Sequence, residues 1–226
     1  MDLFGNLFYI IKDMKKYDLY LFDFDGTLLD TMPALEYVFS VSYEHIGVHF
    51  NPEDTVEFSR IPLDEGFRKI NGNPDKWKDF CDYIEASLDY PEALERNYPY
   101  PESMEFFRYL KEHNIKAGIV TSNKAKHVKE VLHKMKIPVD TFSVIMGSKQ
   151  YKNFKPHPEP ILKALEEIKH KGELKNIVYV GDGINDTLCA NNAGVDAVLI
   201  DRIDAFKESD KYIKIKSLME LFENED

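Results

Sequence analysis

Asp23 and Asp25 stand on either side of Phe24, directly after the apolar run Leu19-Tyr20-Leu21-Phe22, and Gly26 follows at once. A strand that ends this way presents two carboxylates at one corner, and the glycine lets the backbone turn sharply there. Crowded carboxylates repel one another, so a partner must offset their charge. A hard divalent cation such as Mg2+, which prefers oxygen ligands, does this well. The plain alternative is an acidic strand-to-helix turn. Three further clusters argue against it. Thr121-Ser122-Asn123 follows Gly118-Ile119-Val120, Lys155-Pro156-His157-Pro158 precedes a helical pattern, and Gly181-Asp182-Gly183-Ile184-Asn185-Asp186 follows Val178-Tyr179-Val180. Each alone is ordinary: a helix cap, a loop, a tight turn. Together, in order and next to strand ends, they form a set that chance does not readily supply.

The chemistry this set fits is phosphoryl transfer, which needs electrostatic clamping and in-line positioning more than covalent work. Lys155 supplies a positive charge, and Thr121, Ser122 and Asn123 supply directed donors for phosphate oxygens. Asp23 and Asp182 are oxygen ligands for Mg2+, and Asp186, one helical turn beyond Asp182, completes the shell directly or through water. A second oxygen of Asp23 is then free to attack phosphorus, giving an aspartyl-phosphate. Asp25 protonates the leaving oxygen and later deprotonates the attacking water. His157, between two prolines, reads as loop structure.

Positioning these residues requires a sheet. Lys116–Val120, Phe142–Met146, Asn176–Val180 and Asp196–Ile200 read as buried strands, alternating with helical patterns at Lys124–Met135, Pro158–Lys169 and Ile184–Ala193. Alternation of this kind predicts an α/β fold, a Rossmann-like parallel sheet with helices on both faces, and the strand ending at Phe24 belongs to it. Ligands of such sheets bind at the carboxyl ends of strands. Residues 32–96 contain no convincing strand. Pro33 after Asp30-Thr31 marks a helix start, Leu35, Val38, Phe39, Ser42 and Ile46 share a face, and Gly47, Pro52, Pro62, Asn71-Gly72-Asn73-Pro74 and Pro91 cut the rest into short helices. Asn97-Tyr98-Pro99-Tyr100-Pro101 reads as a return linker. The expected division is a discontinuous core of residues 1–31 and 97–226 with an inserted all-helical cap of residues 32–96. Phe4, Leu7, Phe8, Ile11 and Met14 predict an amphipathic N-terminal helix, and residues 223–226 a solvated end.

Composition bounds the partners. Twenty-nine basic against 40 acidic residues give a net charge of -11, which disfavours nucleic acid and anionic membrane surfaces but not small phosphate esters. No apolar run reaches membrane-spanning length, and no signal-peptide pattern opens the chain. Cys81 and Cys189 form no CxxC and read as two buried reduced thiols. A cytoplasmic location is expected.

Taken together, these residues resemble the haloacid dehalogenase-like (HAD) hydrolase superfamily over about residues 17–210. Its four motifs look like Asp23-Phe24-Asp25-Gly26-Thr27, Thr121, Lys155, and Asp182 with Asp186. The resemblance implies Asp23 as nucleophile and metal ligand, Asp25 as general acid/base that also binds metal through its carbonyl, and a helical cap between the first and second motifs. An acid two residues after the nucleophile implies phosphatase or phosphomutase chemistry, since the dehalogenases and P-type ATPases of this fold lack it. The layout is similar to the branch that holds phosphoglycolate phosphatase, pyrophosphatase and β-phosphoglucomutase-like proteins. Phe58-Ser59-Arg60-Ile61-Pro62-Leu63 looks like the cap's specificity segment there, with Arg60 in place of an expected Gly. Arg60 either meets a second anionic group of the substrate or pairs with Glu57 or Asp64. The expected activity is that of a Mg2+-dependent phosphatase acting on a small phosphorylated metabolite. The alternatives are a phosphomutase, for which Lys69, His45 and His49 are cap candidates without a recognised pattern, and a catalytically quiet binding module.

Overall fold

A computed structural model describes residues 15–59, 61–70 and 73–222. The expected N-terminal helix, Arg60 and the acidic tail lie outside the described residues. Six parallel strands form the central sheet: β1 (Leu19–Phe22), β4 (Ala117–Val120), β5 (Ile145–Met146), β6 (Ile177–Gly181), β7 (Asp196–Ile200) and β8 (Ile213–Ile215). They lie in the order β5-β4-β1-β6-β7-β8. β1 is therefore flanked by β4 on one side and β6 on the other, the point where strand order reverses. In an open α/β sheet the crevice for ligands opens beyond the carboxyl end at this place.

Side chains alternate across the sheet. Tyr20 and Phe22 of β1, with Ile119, Val178, Val180 and Val198, pack with Phe106, Phe107 and Leu110 of helix α6 (Ser103–Glu112) and Val128, Val131 and Leu132 of α7 (Ala125–Lys134). Leu19 and Leu21, with Val120, Tyr179 and Ala197, pack with Ile161, Ala164 and Leu165 of α8 (Glu159–Glu167) and Cys189, Ala190 and Ala193 of α9 (Ile184–Ala193). Burying both faces explains why the strands read as continuous apolar runs. Of the two cysteines only Cys189 is fully buried; Cys81 is half-buried, and both are free.

The helical insertion comprises α1 (Met32–His45), α2 (Thr55–Ser59), α3 (Leu63–Ile70), α4 (Trp77–Ser87) and α5 (Pro91–Leu94). It has an aromatic cluster of its own, Phe39, Tyr43, Phe50, Phe58, Phe67 and Phe80. Tyr43 stacks on Phe50 at 5.3 Å and meets Phe80 at 4.6 Å. α1 starts as expected with Pro in its first turn, but the Thr31 side chain does not cap it. The Asp30 carboxylate accepts from Met32 N instead, at 3.1 Å.

Two details differ from expectation. The strand expected over Phe142–Met146 is only Ile145–Met146, although Ser143 N still donates to Ala117 O and Ile119 N to Val144 O just ahead of it. The return linker is not irregular: β3 (Tyr98–Pro99) pairs antiparallel with β2 (Leu29–Asp30), so the two chain crossings between sheet and helices are hydrogen-bonded to each other. Ser103 Oγ adds a bond to Leu28 O at 2.7 Å.

Candidate active site

β1 stays in register with β6 one residue past its end, as Asp23 N donates to Val180 O at 2.8 Å. This places the Asp23 carboxylate, only 7% exposed, on the carboxyl side of the sheet. The chain then turns. Gly26 has φ of +70°, a conformation that L side chains rarely adopt, and a Cβ there would run into the Asp182 carboxylate. Gly181, the last residue of β6, lies so close to Asp186 that a Cβ would collide with that side chain as well. The glycines thus let two acidic loops approach one another.

Lys155 reaches into this corner from the loop before α8. Its Nζ lies 3.0 Å from Asp23 Oδ2 and 2.6 Å from Asp186 Oδ1, with its side chain 9% exposed. Burial opposes the ammonium charge, but the Asp186 and then the Asp23 carboxylates outweigh it and hold the lysine charged. Burial pushes the Asp23 carboxyl well up; Lys155 opposes the shift, while Asp186, Asp182 and Asp25 add to it. Desolvation, and then the charge of Asp186, push the Asp182 carboxyl up to about 6.

Asp25 has a different partner. Asn123 Nδ2 donates to its Oδ2 at 2.8 Å. Asn123 is itself fixed, since its N–H donates to Thr121 Oγ1 at 3.0 Å. Thr121 is fully buried after β4; its N–H donates to Met146 O and its carbonyl accepts from Tyr151 OH at 2.7 Å. The Thr121 hydroxyl is the acceptor of the Asn123 N–H. Ser122 is exposed beside it. Hence Asp23, Lys155, Asp182 and Asp186 converge at one point and Asp25, Asn123 and Thr121 at its edge. Cap candidates elsewhere are engaged with neighbours: His45 with Asp79 at 3.2 Å, and Lys69 with Glu57.

Carboxylate oxygens of Asp23, Asp182 and Asp186 all lie within 4.8 Å of one another, close enough to share a metal ion. Asp23 Oδ1 is buried without a hydrogen-bond partner. An orphaned carboxylate oxygen beside two more carboxylates suits a hard divalent cation, so these residues fit Mg2+.

Two participants were not singled out from the sequence. Tyr179 OH lies 3.2 Å from Lys155 Nζ and 3.3 Å from Asp186 Oδ1, and donates to Val120 O at 2.8 Å. A tyrosine inside an otherwise aliphatic strand was the available signal, because a buried hydroxyl needs a partner. Arg202, beyond β7, donates from Nη1 to Gly26 O at 2.8 Å and from Nη2 to Thr27 O at 2.9 Å. Nothing in its local sequence pointed to that.

Known proteins resemble this chain in sequence and in fold. A candidate PpaX pyrophosphatase of Caldanaerobacter subterraneus subsp. tengcongensis is 32% identical over 80% of each chain. A phosphoglycolate phosphatase of Neisseria meningitidis is 29% identical over 90% of this chain and 91% of its own. A solved structure of a candidate haloacid dehalogenase-like hydrolase from Bacteroides fragilis superposes with a TM-score of 0.77 at 24% identity, covering 91% of this chain and all of the other. The family model for haloacid dehalogenase-like hydrolases matches residues 20–200. Sheet order, the acidic corner and this match over most of the chain lead to one conclusion: the chain belongs to the haloacid dehalogenase-like hydrolase family.

Proposed function

We propose that this protein is a Mg2+-dependent phosphatase that hydrolyses a small phosphorylated metabolite through an aspartyl-phosphate on Asp23. The observation that carries the reading is the convergence of Asp23, Lys155, Asp182 and Asp186 at the reversal point of the sheet, with Asp25 held beside them by Asn123. Names of relatives narrow the class: a pyrophosphatase and a phosphoglycolate phosphatase both act on small anionic phosphates.

Asp23, Asp182 and Asp186 would hold Mg2+, with the Asp25 carbonyl as a further ligand. When bound, the ion neutralises charge on the phosphoryl oxygens and on the carboxylates themselves. Lys155 and the Thr121 hydroxyl bind the remaining phosphoryl oxygens, with Ser122 and the Asn123 loop as further donors. A carboxylate oxygen of Asp23 attacks phosphorus as the bond to the leaving oxygen breaks. Asp25, oriented by Asn123, gives its proton to that oxygen and then takes one from the water that hydrolyses the phosphoaspartate. Residues 32–96 act as a cap that closes over the site, excludes bulk water and selects the leaving group. Arg60 is a candidate for contact with a second anionic group on the substrate.

The test is phosphate release from a panel that includes pyrophosphate, phosphoglycolate, sugar phosphates and nucleotides, with and without Mg2+, for wild type and Asp23→Asn. The expected result is metal-dependent release that the substitution abolishes. Release from no compound by folded protein would overturn the reading.

A further inference from the structure

Arg202 joins three separate parts of the fold. It lies two residues past β7, and its side chain, 17% exposed, crosses to the turn that follows the Asp23–Asp25 pair. Three of its nitrogens are engaged. Nη1 donates to Gly26 O at 2.8 Å and Nη2 to Thr27 O at 2.9 Å. Nη2 and Nε both donate to Glu102 Oε1, at 2.8 and 3.2 Å. Its guanidinium carbon sits 3.5 Å from the centre of the Tyr100 ring. Tyr100 and Glu102 belong to the segment that returns from the helical insertion, immediately after β3. One planar group therefore links the catalytic turn, the return crossing and the end of β7.

The two carbonyls are the informative partners. They belong to the Gly26–Thr27 and Thr27–Leu28 peptides, one and two peptide bonds along the chain from the Asp25–Gly26 peptide, and a Cβ on Gly26 would meet Asp182. A planar fork of donors fixes the orientation of both carbonyls at once, which a lysine ammonium does not do. Asn123 fixes Asp25 from one side through its carboxylate. Arg202 holds the turn that follows Asp25, through the carbonyls of the next two residues.

We propose that Arg202 is a positioning residue for the reaction: it holds the Asp25 carboxyl where the leaving oxygen takes up its proton, and sets that position in common with the return crossing from the cap. The proposal rests on the phosphatase reading above. In the step concerned, the O–H bond of Asp25 breaks and its proton passes to the bridging oxygen. The P–O bond to that oxygen breaks while Asp23 forms its own bond to phosphorus.

A positioning role of this kind depends on the leaving group. A good leaving group departs with little need of a proton, whereas an alkyl oxygen needs one. The test compares kcat/KM, which reports the steps up to phosphoaspartate formation, for p-nitrophenyl phosphate and for an alkyl phosphate hydrolysed by wild type. The variants are Arg202→Lys and the double substitution Arg202→Met with Glu102→Gln, which leaves no unpaired carboxylate behind, each checked by thermal melting. The expected result is a loss of about tenfold to a hundredfold on the alkyl ester and less than about threefold on p-nitrophenyl phosphate. Equal losses on both substrates, or no loss on either, would overturn the positioning role. If wild type hydrolyses neither ester and no compound of the panel above, the phosphatase reading fails and this proposal falls with it. Wild-type turnover that Asp23→Asn abolishes, with no leaving-group dependence in the variants, overturns the Arg202 role alone.

Discussion

At Gly26 the chain meets two demands at once. The backbone needs φ of +70°, and the space where a side chain would begin is taken by the Asp182 carboxylate. Alanine would incur a left-handed backbone cost of about 1–2 kcal/mol and would also displace Asp182. We therefore expect Gly26→Ala to lower the melting temperature and to reduce phosphate release by at least about tenfold. Unchanged kcat in a stably folded variant would show that Asp182 can move without consequence. The residues legible in the sequence here were those whose type carries the chemistry. Asp23, Asp25, Lys155 and Asp182 announce themselves by charge next to strand ends. Arg202 does not, because its role comes from where the fold sends an otherwise unremarkable side chain, and Tyr179 offers only a polar tip in an aliphatic strand. The Arg202 bonds to Gly26 and Thr27 span more than 170 positions of sequence, a separation that no local pattern encodes.

At the scale of elements, the loop before α8 has to hold Lys155 against two carboxylates, and Glu159 anchors it. Its Oε1 accepts from Lys152 N at 3.1 Å, and its Oε2 from Asn153 N at 2.9 Å and Asn153 Nδ2 at 2.7 Å. Those backbone bonds hold its carboxyl below the ordinary 4.5. A lowered native pKa contributes stability that is fully present above the unfolded value and is lost as pH falls through the native one. Glu159→Gln should therefore melt earlier than wild type at pH 7, with the gap closing as pH drops below about 4. A gap that persists at low pH would mean that the loss comes from packing and not from the charge. The glutamate lies in the first turn of its helix, where sequence rules already favour an acid, yet its reach back over six or seven residues was not readable. The long strands and α9 were legible because both faces of the sheet are buried. β2 and β3, two residues each, were not: a pair of residues carries no periodicity, and tertiary pairing alone makes them strands, whereas β5 was expected but three residues longer than it is.

For the molecule as a whole, the helical insertion meets the sheet side through charge as well as through its two paired crossings. Acids of the insertion face bases on the sheet side. Glu85 of α4 lies 2.9 Å from Lys124 and 3.6 Å from Lys149, Asp89 3.2 Å from the buried His127, and Glu95 3.2 Å from Lys134. Lys124 directly follows Asn123, so the Glu85 pair closes beside the loop that orients Asp25. Lys124, by hydrogen bond and by charge, holds the Glu85 carboxyl below its ordinary range, which marks the attraction as felt even at this exposed place. Such pairs are individually weak and screened by salt, with a Debye length of about 10 Å at 0.1 M and 3 Å at 1 M. They suit the opening and closing cover proposed above, where a large apolar contact would hold it shut. If closure contributes to substrate binding, Glu85→Gln should raise KM about two- to fivefold at low ionic strength, and wild type should approach the variant as salt is raised. The comparison removes the direct effect of salt on an anionic substrate, because both proteins share it. A KM gap of the same size at low and high salt would assign Glu85 to packing or to substrate contact, and the insertion would then have to be held over the site by its two hydrogen-bonded crossings, β2 and β3, alone.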